Sequence, residues 1–235
     1  MESKDPNTPL RPPQCSTSRA DWPIPTALIA LSIVPLIGGI VRLTSLTSQT
    51  VATPDNARFL AAPIPVAIHI LASLAFCIIG AFQFAPSFRQ RHPEWHRMAG
   101  RWLMVAGVIA ALSGVWMTVF YTIPQPLQGS ILYVARLFFG IAMMVSIVLA
   151  WSTIRRKNIA GHRTWIMRAY AIGQAAGTQV IIILPYTALL GQPEQFARDI
   201  LMTAAWIVNL AIVEWIARRK PVRQRKQAVA PAAII

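Results

Sequence analysis

Residues 131–154 read "ILYVARLFFGIAMMVSIVLAWSTI" and hold a single formal charge, Arg136. About 20 apolar residues are enough for a helix to cross the hydrocarbon core of a bilayer. A stretch this long and this apolar predicts a membrane-spanning helix. Five more stretches qualify, at 24–42, 63–84, 101–121, 168–190 and 199–217. The expected fold class is therefore all-α, a polytopic membrane helix bundle with six transmembrane helices. Composition agrees with that reading. Apolar residues form 55% of the 235-residue chain, charged residues 13%, and the mean hydropathy is +0.50. A soluble domain carries about 25% charged residues.

The net charge of +14 could suggest a nucleic-acid partner, but its placement argues otherwise. Of the 22 Lys and Arg residues, all but Arg42, Arg58, Arg136 and Arg198 fall in the N-terminal tail, the second and fourth connections, or the C-terminal tail. Positive charge collects on the cytoplasmic side of membrane proteins. Both termini are thus predicted in the cytoplasm, in a multi-pass membrane protein. Trp22, Trp95, Trp102, Trp151, Trp165 and Trp215 fall near the same inner interface, as an aromatic belt does. The expected partners are membrane lipids with anionic headgroups, and no nucleic-acid module is present. Residues 1–21, with Pro6, Pro9, Pro12 and Pro13, read as a disordered cytoplasmic tail. Residues 22–217 form the membrane domain and 218–235 a basic cytoplasmic tail. No small-x-small cleavage site follows the first apolar run, so that run reads as a retained helix. Cys15 and Cys77 lie at different depths with no CxxC motif, and no disulfide is expected.

Just after the opening stretch, "TIRRKNIAGHR" (153–163) overlays "SFRQRHPEWHR" (87–97) at a constant offset of 66. Arg89 matches Arg155, His96 matches His162, and Arg97 matches Arg163. The register continues, with Gly107 on Gly173 and Ala111 on Gly177. Spans 2–3 and 4–5 therefore read as parallel copies of one hairpin. Such repeats are related by an axis along the membrane normal, which would bring His96 and His162 toward each other. The glycines at 100, 107, 114, 173 and 177 predict close helix contacts.

Ionisable groups inside a span are functional candidates. His69 shares a helical stripe with Ser73, Gly80 and Gln83. Arg136 lies at a similar depth, so His69 and Arg136 are expected to line one outward-facing pocket. Gln174, Thr178 and Asn209 are expected to hydrogen-bond between helices, and Glu214 to pair with a basic residue. Pro93 suits a first helical turn, with His92 as the cap. His92, Glu94 and His96 lack a third well-placed ligand, so no metal site is expected.

The paired His-Arg motifs admit several readings. They can anchor two helices at the interface. Arg97 and Arg163 can hold an anion, helped by helix N-termini. His96 and His162 can ligate haem iron or titrate near neutral pH. No catalytic residue is identified, because neither GxSxG nor HExxH occurs.

One set of residues resembles a known family. It comprises His69-Ile70, Gly80, Gln83-Phe84, Arg89, His96-Arg97, Gly100-Arg101, His162-Arg163-Thr164-Trp165 and Arg168-Ala169-Tyr170. Over about residues 60–190 the chain resembles the predicted bacterial membrane proteins grouped as domain of unknown function 2306. The resemblance implies a multi-span helical membrane protein and supplies no established activity. A weaker likeness, to cytochrome b561-type bundles, rests on six spans and His at the starts of spans 3 and 5. The functional expectation is a protein that binds or transports a small or anionic ligand through His69, Gln83, Arg97, Arg101, Arg136, Arg163 and Arg168. The alternative is a haem-binding redox protein using His96 and His162.

Overall fold

The computed structural model describes residues 22–48 and 51–219. Every regular element among them is helical. Helix α1 (Pro23–Thr47) is followed by the short α2 (Ala57–Ala61). Span 2 consists of α3 (Pro63–Leu74), one wide π-helical turn (Ala75–Ile79) and α4 (Gly80–Phe82). Then come α5 (Pro86–Arg91), α6 (Pro93–Phe120), α7 (Ser130–Arg155), α8 (Ile159–Gly173), α9 (Ala175–Leu190) and α10 (Gln195–Arg218). Five of these segments are long and apolar enough to cross a membrane on their own. The pair α8 and α9, bent by 41° at the break, makes a sixth if it is one span. The tails read at 1–21 and 218–235 lie outside the described residues, apart from Arg218 and Arg219, and Cys15 lies outside with them. Cys77 is a buried free thiol.

Two helices start eight and nine residues earlier than hydropathy predicts. α6 begins at Pro93 rather than 101, and α8 at Ile159 rather than 168. Local chemistry explains both. Pro93 occupies the first turn, where its missing N–H is no loss. The Asn158 side chain accepts the Gly161 N–H at 2.8 Å and caps α8. His92 takes the cap position of α6, but its side chain makes no capping bond. His96 and His162 therefore occupy the same place in their helices, each donating its N–H to the cap residue's carbonyl at 3.0 Å. The two hairpins share this helix start and not the helix path. α6 runs unbroken, whereas its counterpart breaks at Gln174. Span 2 carries a wide turn, whereas α7 is regular.

The centre of the bundle is built on Phe76. A methyl group at Gly107 would stand 2.7 Å from the Phe76 ring, and one at Gly173 would stand 2.9 Å from it. Each glycine thus lets its helix close onto one side of that ring. Tyr170 packs on Phe76 with ring centroids 5.6 Å apart and donates its hydroxyl to the Cys77 carbonyl. Gly177 brings α9 against the backbone of α1, where an added methyl would collide with the Leu31 carbonyl oxygen.

The α8–α9 break would expose backbone groups to hydrocarbon unless side chains met them. Asn209 Nδ2 donates to the Ala171 carbonyl at 3.0 Å, and Cys77 Sγ approaches the Gly173 carbonyl at 3.5 Å. Gln174 Nε2 donates to the Tyr170 hydroxyl at 2.8 Å and to the Leu28 carbonyl, while its Oε1 accepts from Ser32. Thr178 donates to Asn209 Oδ1 at 2.9 Å. Gln174, Thr178 and Asn209 hydrogen-bond between helices, as their sequence positions predict.

Candidate functional site

The bundle has two chemically different ends. The basic end, where α6 begins and α7 finishes, carries the Arg-rich connections. The opposite, sparse end carries α2 and the connection around residues 121–129.

A cavity of about 510 Å³ opens among the helices of the sparse end. His69 and Ser73 enter it from α3. The His69 ring fits because α6 has Gly114 there, and a methyl at that position would stand 3.2 Å from Cε1. His69 Nδ1 lies 2.9 Å from the Ala110 carbonyl and 3.2 Å from Ser113 Oγ. Ser113 donates its own hydroxyl to backbone carbonyls, so Nδ1 carries the proton and donates to Ala110. That bond fixes the tautomer and leaves Nε2 without a protein partner.

Arg136 from α7 lines the same cavity, as its depth predicts, and bonds the Gln128 side chain. Sequence reasoning left out Arg58 on α2 and Arg198 on α10, which also line it. Arg58 Nη1 and Arg198 Nε are buried without hydrogen-bond partners. Arg42 and Arg58 each stack over the Phe59 ring at 4.3 Å. Burial, and then the Arg42 charge, push the Arg58 guanidinium below its ordinary pKa. The carboxylate beside Arg58 is Asp55, and the one beside Arg136 is Asp199, which is 2% exposed. It accepts the Gly129 N–H at 3.0 Å and the Leu132 N–H at 3.2 Å, so it caps α7 from another helix. Asp199 thus offsets Arg136, and the exposed Asp55 offsets Arg58. Below the mouth the walls turn apolar, with Phe76, Met143 and Trp206.

The other residues expected to bind ligand lie at the basic end and do not line this cavity. Arg168 forms a two-pronged ion pair with Glu214 at 2.5 and 3.0 Å and stacks on Trp165. That is the pairing expected of Glu214, and it occupies Arg168. Arg97 and Arg163 are exposed. Arg101 borders a separate shallow apolar groove between α6 and α7. Gln83 packs against α6, its Oε1 within 4.0 Å of where a Gly100 methyl would stand. The expected ligand set therefore divides between the two ends.

His96 and His162 are close enough to interact electrostatically. His162 Nδ1 bonds the Ala150 carbonyl at 3.0 Å, the arrangement that orients a metal-ligating histidine. His96 lacks this support, because its Nδ1 is buried without a partner. Among the described residues, no group of three His, Cys, Asp or Glu side chains is placed to hold a metal ion.

A family profile described as "Predicted membrane protein (DUF2306)" matches residues 66–217, well over half of the chain. The chain belongs to this family. The match takes in His69, Arg136, Arg198 and both His-Arg pairs, and leaves out α1 and α2 with Arg42 and Arg58. Membership and the apolar helices together make this a multi-pass membrane protein. No curated protein and no solved structure matches the chain.

Proposed function

We propose that this protein binds or transports a small anionic ligand through the sparse-end cavity, in the bacterial inner membrane. One observation carries the reading. The basic residues that break the charge asymmetry, Arg58, Arg136 and Arg198, converge on one cavity together with His69, and Arg42 stands beside Arg58. Cations at membrane depth are costly and need a use. Guanidinium groups are suited to it, because their forked donors match carboxylate and phosphate oxygens. The apolar lower walls fit a ligand with a hydrophobic body behind its anionic group.

Naphthalene-2-carboxylate and its uncharged carboxamide have nearly the same shape, so they isolate the charge. Titrated calorimetrically into the protein in neutral detergent, the carboxylate is expected to bind at least about tenfold tighter, or about 1.4 kcal/mol. In Arg136→Gln the difference should shrink to near zero. Equal affinities in the unaltered protein would overturn the reading.

The charge rule places the basic end and both termini in the cytoplasm and opens the cavity outward. A periplasm-dependent phosphatase fused after residue 217 should be silent, and one inserted between residues 121 and 129 should be active. The reverse pattern would invert the assignment.

A further inference from the structure

We propose that the basic end holds a second anion, a phosphate group bearing a hydroxyl donor, between Gln83, His96 and His162. This site shares no residue with the cavity and stands on separate observations. Gln83 Nε2, Gln83 Oε1 and His96 Nδ1 are all buried, and none has a hydrogen-bond partner. Native proteins seldom leave such atoms unpaired, because each forfeits its bonds to water and gains nothing in return. Here three occur together. Gln83 lies against Gly100 of α6, and His96 sits one turn earlier on the same face of that helix.

The surroundings favour negative charge. The charged neighbours acting on His96 are Arg89, His162 and Arg97, all basic. Glu94 is exposed, and Glu214 is already paired with Arg168. The first turns of α6 and α8 carry the two histidines, so the positive ends of two helix dipoles converge here. His162 Nδ1 is committed to the Ala150 carbonyl, which leaves its Nε2 available.

The unpaired atoms also select the ligand. Gln83 Nε2 is a donor and needs an acceptor oxygen. Gln83 Oε1 is an acceptor and needs a donor, which a bare carboxylate lacks. Hydrogen phosphate supplies both through its oxygens and its P–OH. A phosphatidylglycerol headgroup supplies both through its phosphate and its glycerol hydroxyls.

The test uses the full chain in neutral maltoside detergent, with thermal unfolding followed by circular dichroism. Sodium phosphate is compared with sodium chloride at equal ionic strength. In parallel, vesicles of phosphatidylcholine are compared with vesicles containing phosphatidylglycerol. A rise of several degrees with phosphate identifies a free anion, and a rise only with phosphatidylglycerol identifies a lipid headgroup. Gln83→Leu should abolish the rise and also unfold at a higher temperature than the unaltered protein when no anion is present. His96→Ala should reduce the rise. Arg136→Gln, which acts on the cavity, should leave it intact, so the two sites can fail independently. A full rise in Gln83→Leu, or no rise with either phosphate source, would overturn the proposal.

Discussion

Gly177→Val is expected to destabilise the protein by about 3 kcal/mol, the upper range for forcing extra volume into a packed interior. The cause is specific. An added Cβ at this position meets the Leu31 carbonyl oxygen, and a main-chain atom cannot rotate aside. To relieve the clash α9 must move off α1. That movement also strains the bonds from Gln174 to Leu28 and from Ser32 to Gln174. Gly38 provides the control, because a methyl there meets nothing within 4 Å. Gly38→Ala should be neutral or slightly stabilising, since alanine favours a helix over glycine. Denaturant titration of both variants in detergent measures the contrast, and similar losses at the two positions would refute the close-approach account.

Phe76→Ala should cost about 3–5 kcal/mol, as large-to-small changes of buried aromatics do. Phe76 is 2% exposed and touches the helices carrying Gly107 and Gly173. Most sites soften such a truncation by letting neighbouring side chains fall inward. Here two of the neighbours are glycines with no side chain to move, so the void persists. The void should also join the sparse-end cavity, which Phe76 already lines. Two readouts follow, a lower unfolding midpoint and an altered affinity for naphthalene-2-carboxylate. A loss below about 1 kcal/mol would show that the helices collapse onto the space, against the rigidity inferred for this centre.

The spans were legible because hydropathy is a local property of the chain. Their beginnings were not, since capping by Pro93 and Asn158 extends α6 and α8 through residues that read as loop. The break at Gln174 carried no proline to announce it. Pro35 and Pro185 are the prolines inside long helices, and neither interrupts its helix. The break is held by Asn209 and Cys77, residues on other helices, so no local window could reveal it.

The site was legible in part. Equal depth was enough to place His69 and Arg136 in one pocket, because depth follows from position along a span. Arg58 and Arg198 escaped notice because they sit on elements whose packing is a tertiary outcome. Their signal was present all the same, in their membership of the small set of basic residues on the wrong side of the charge asymmetry. Gln83 and His69 share a sequence stripe at different depths, and the structure places them at opposite ends, as their positions along span 2 predict.

The wide turn at Ala75–Ile79 lies between those two residues. A regular helix rotates about 100° per residue, and a π turn accommodates one residue more than an α turn does. The turn therefore acts as a phase-setting joint in span 2. Deleting one residue within it would let a continuous α-helix form with His69 and Gln83 kept in their present relative phase, whereas winding the unshortened segment into a regular α-helix would swing Gln83 by about 100°. The extra residue is thus spent on phase alone, and span 2 could be one residue shorter and regular with both ends still facing the bundle interior.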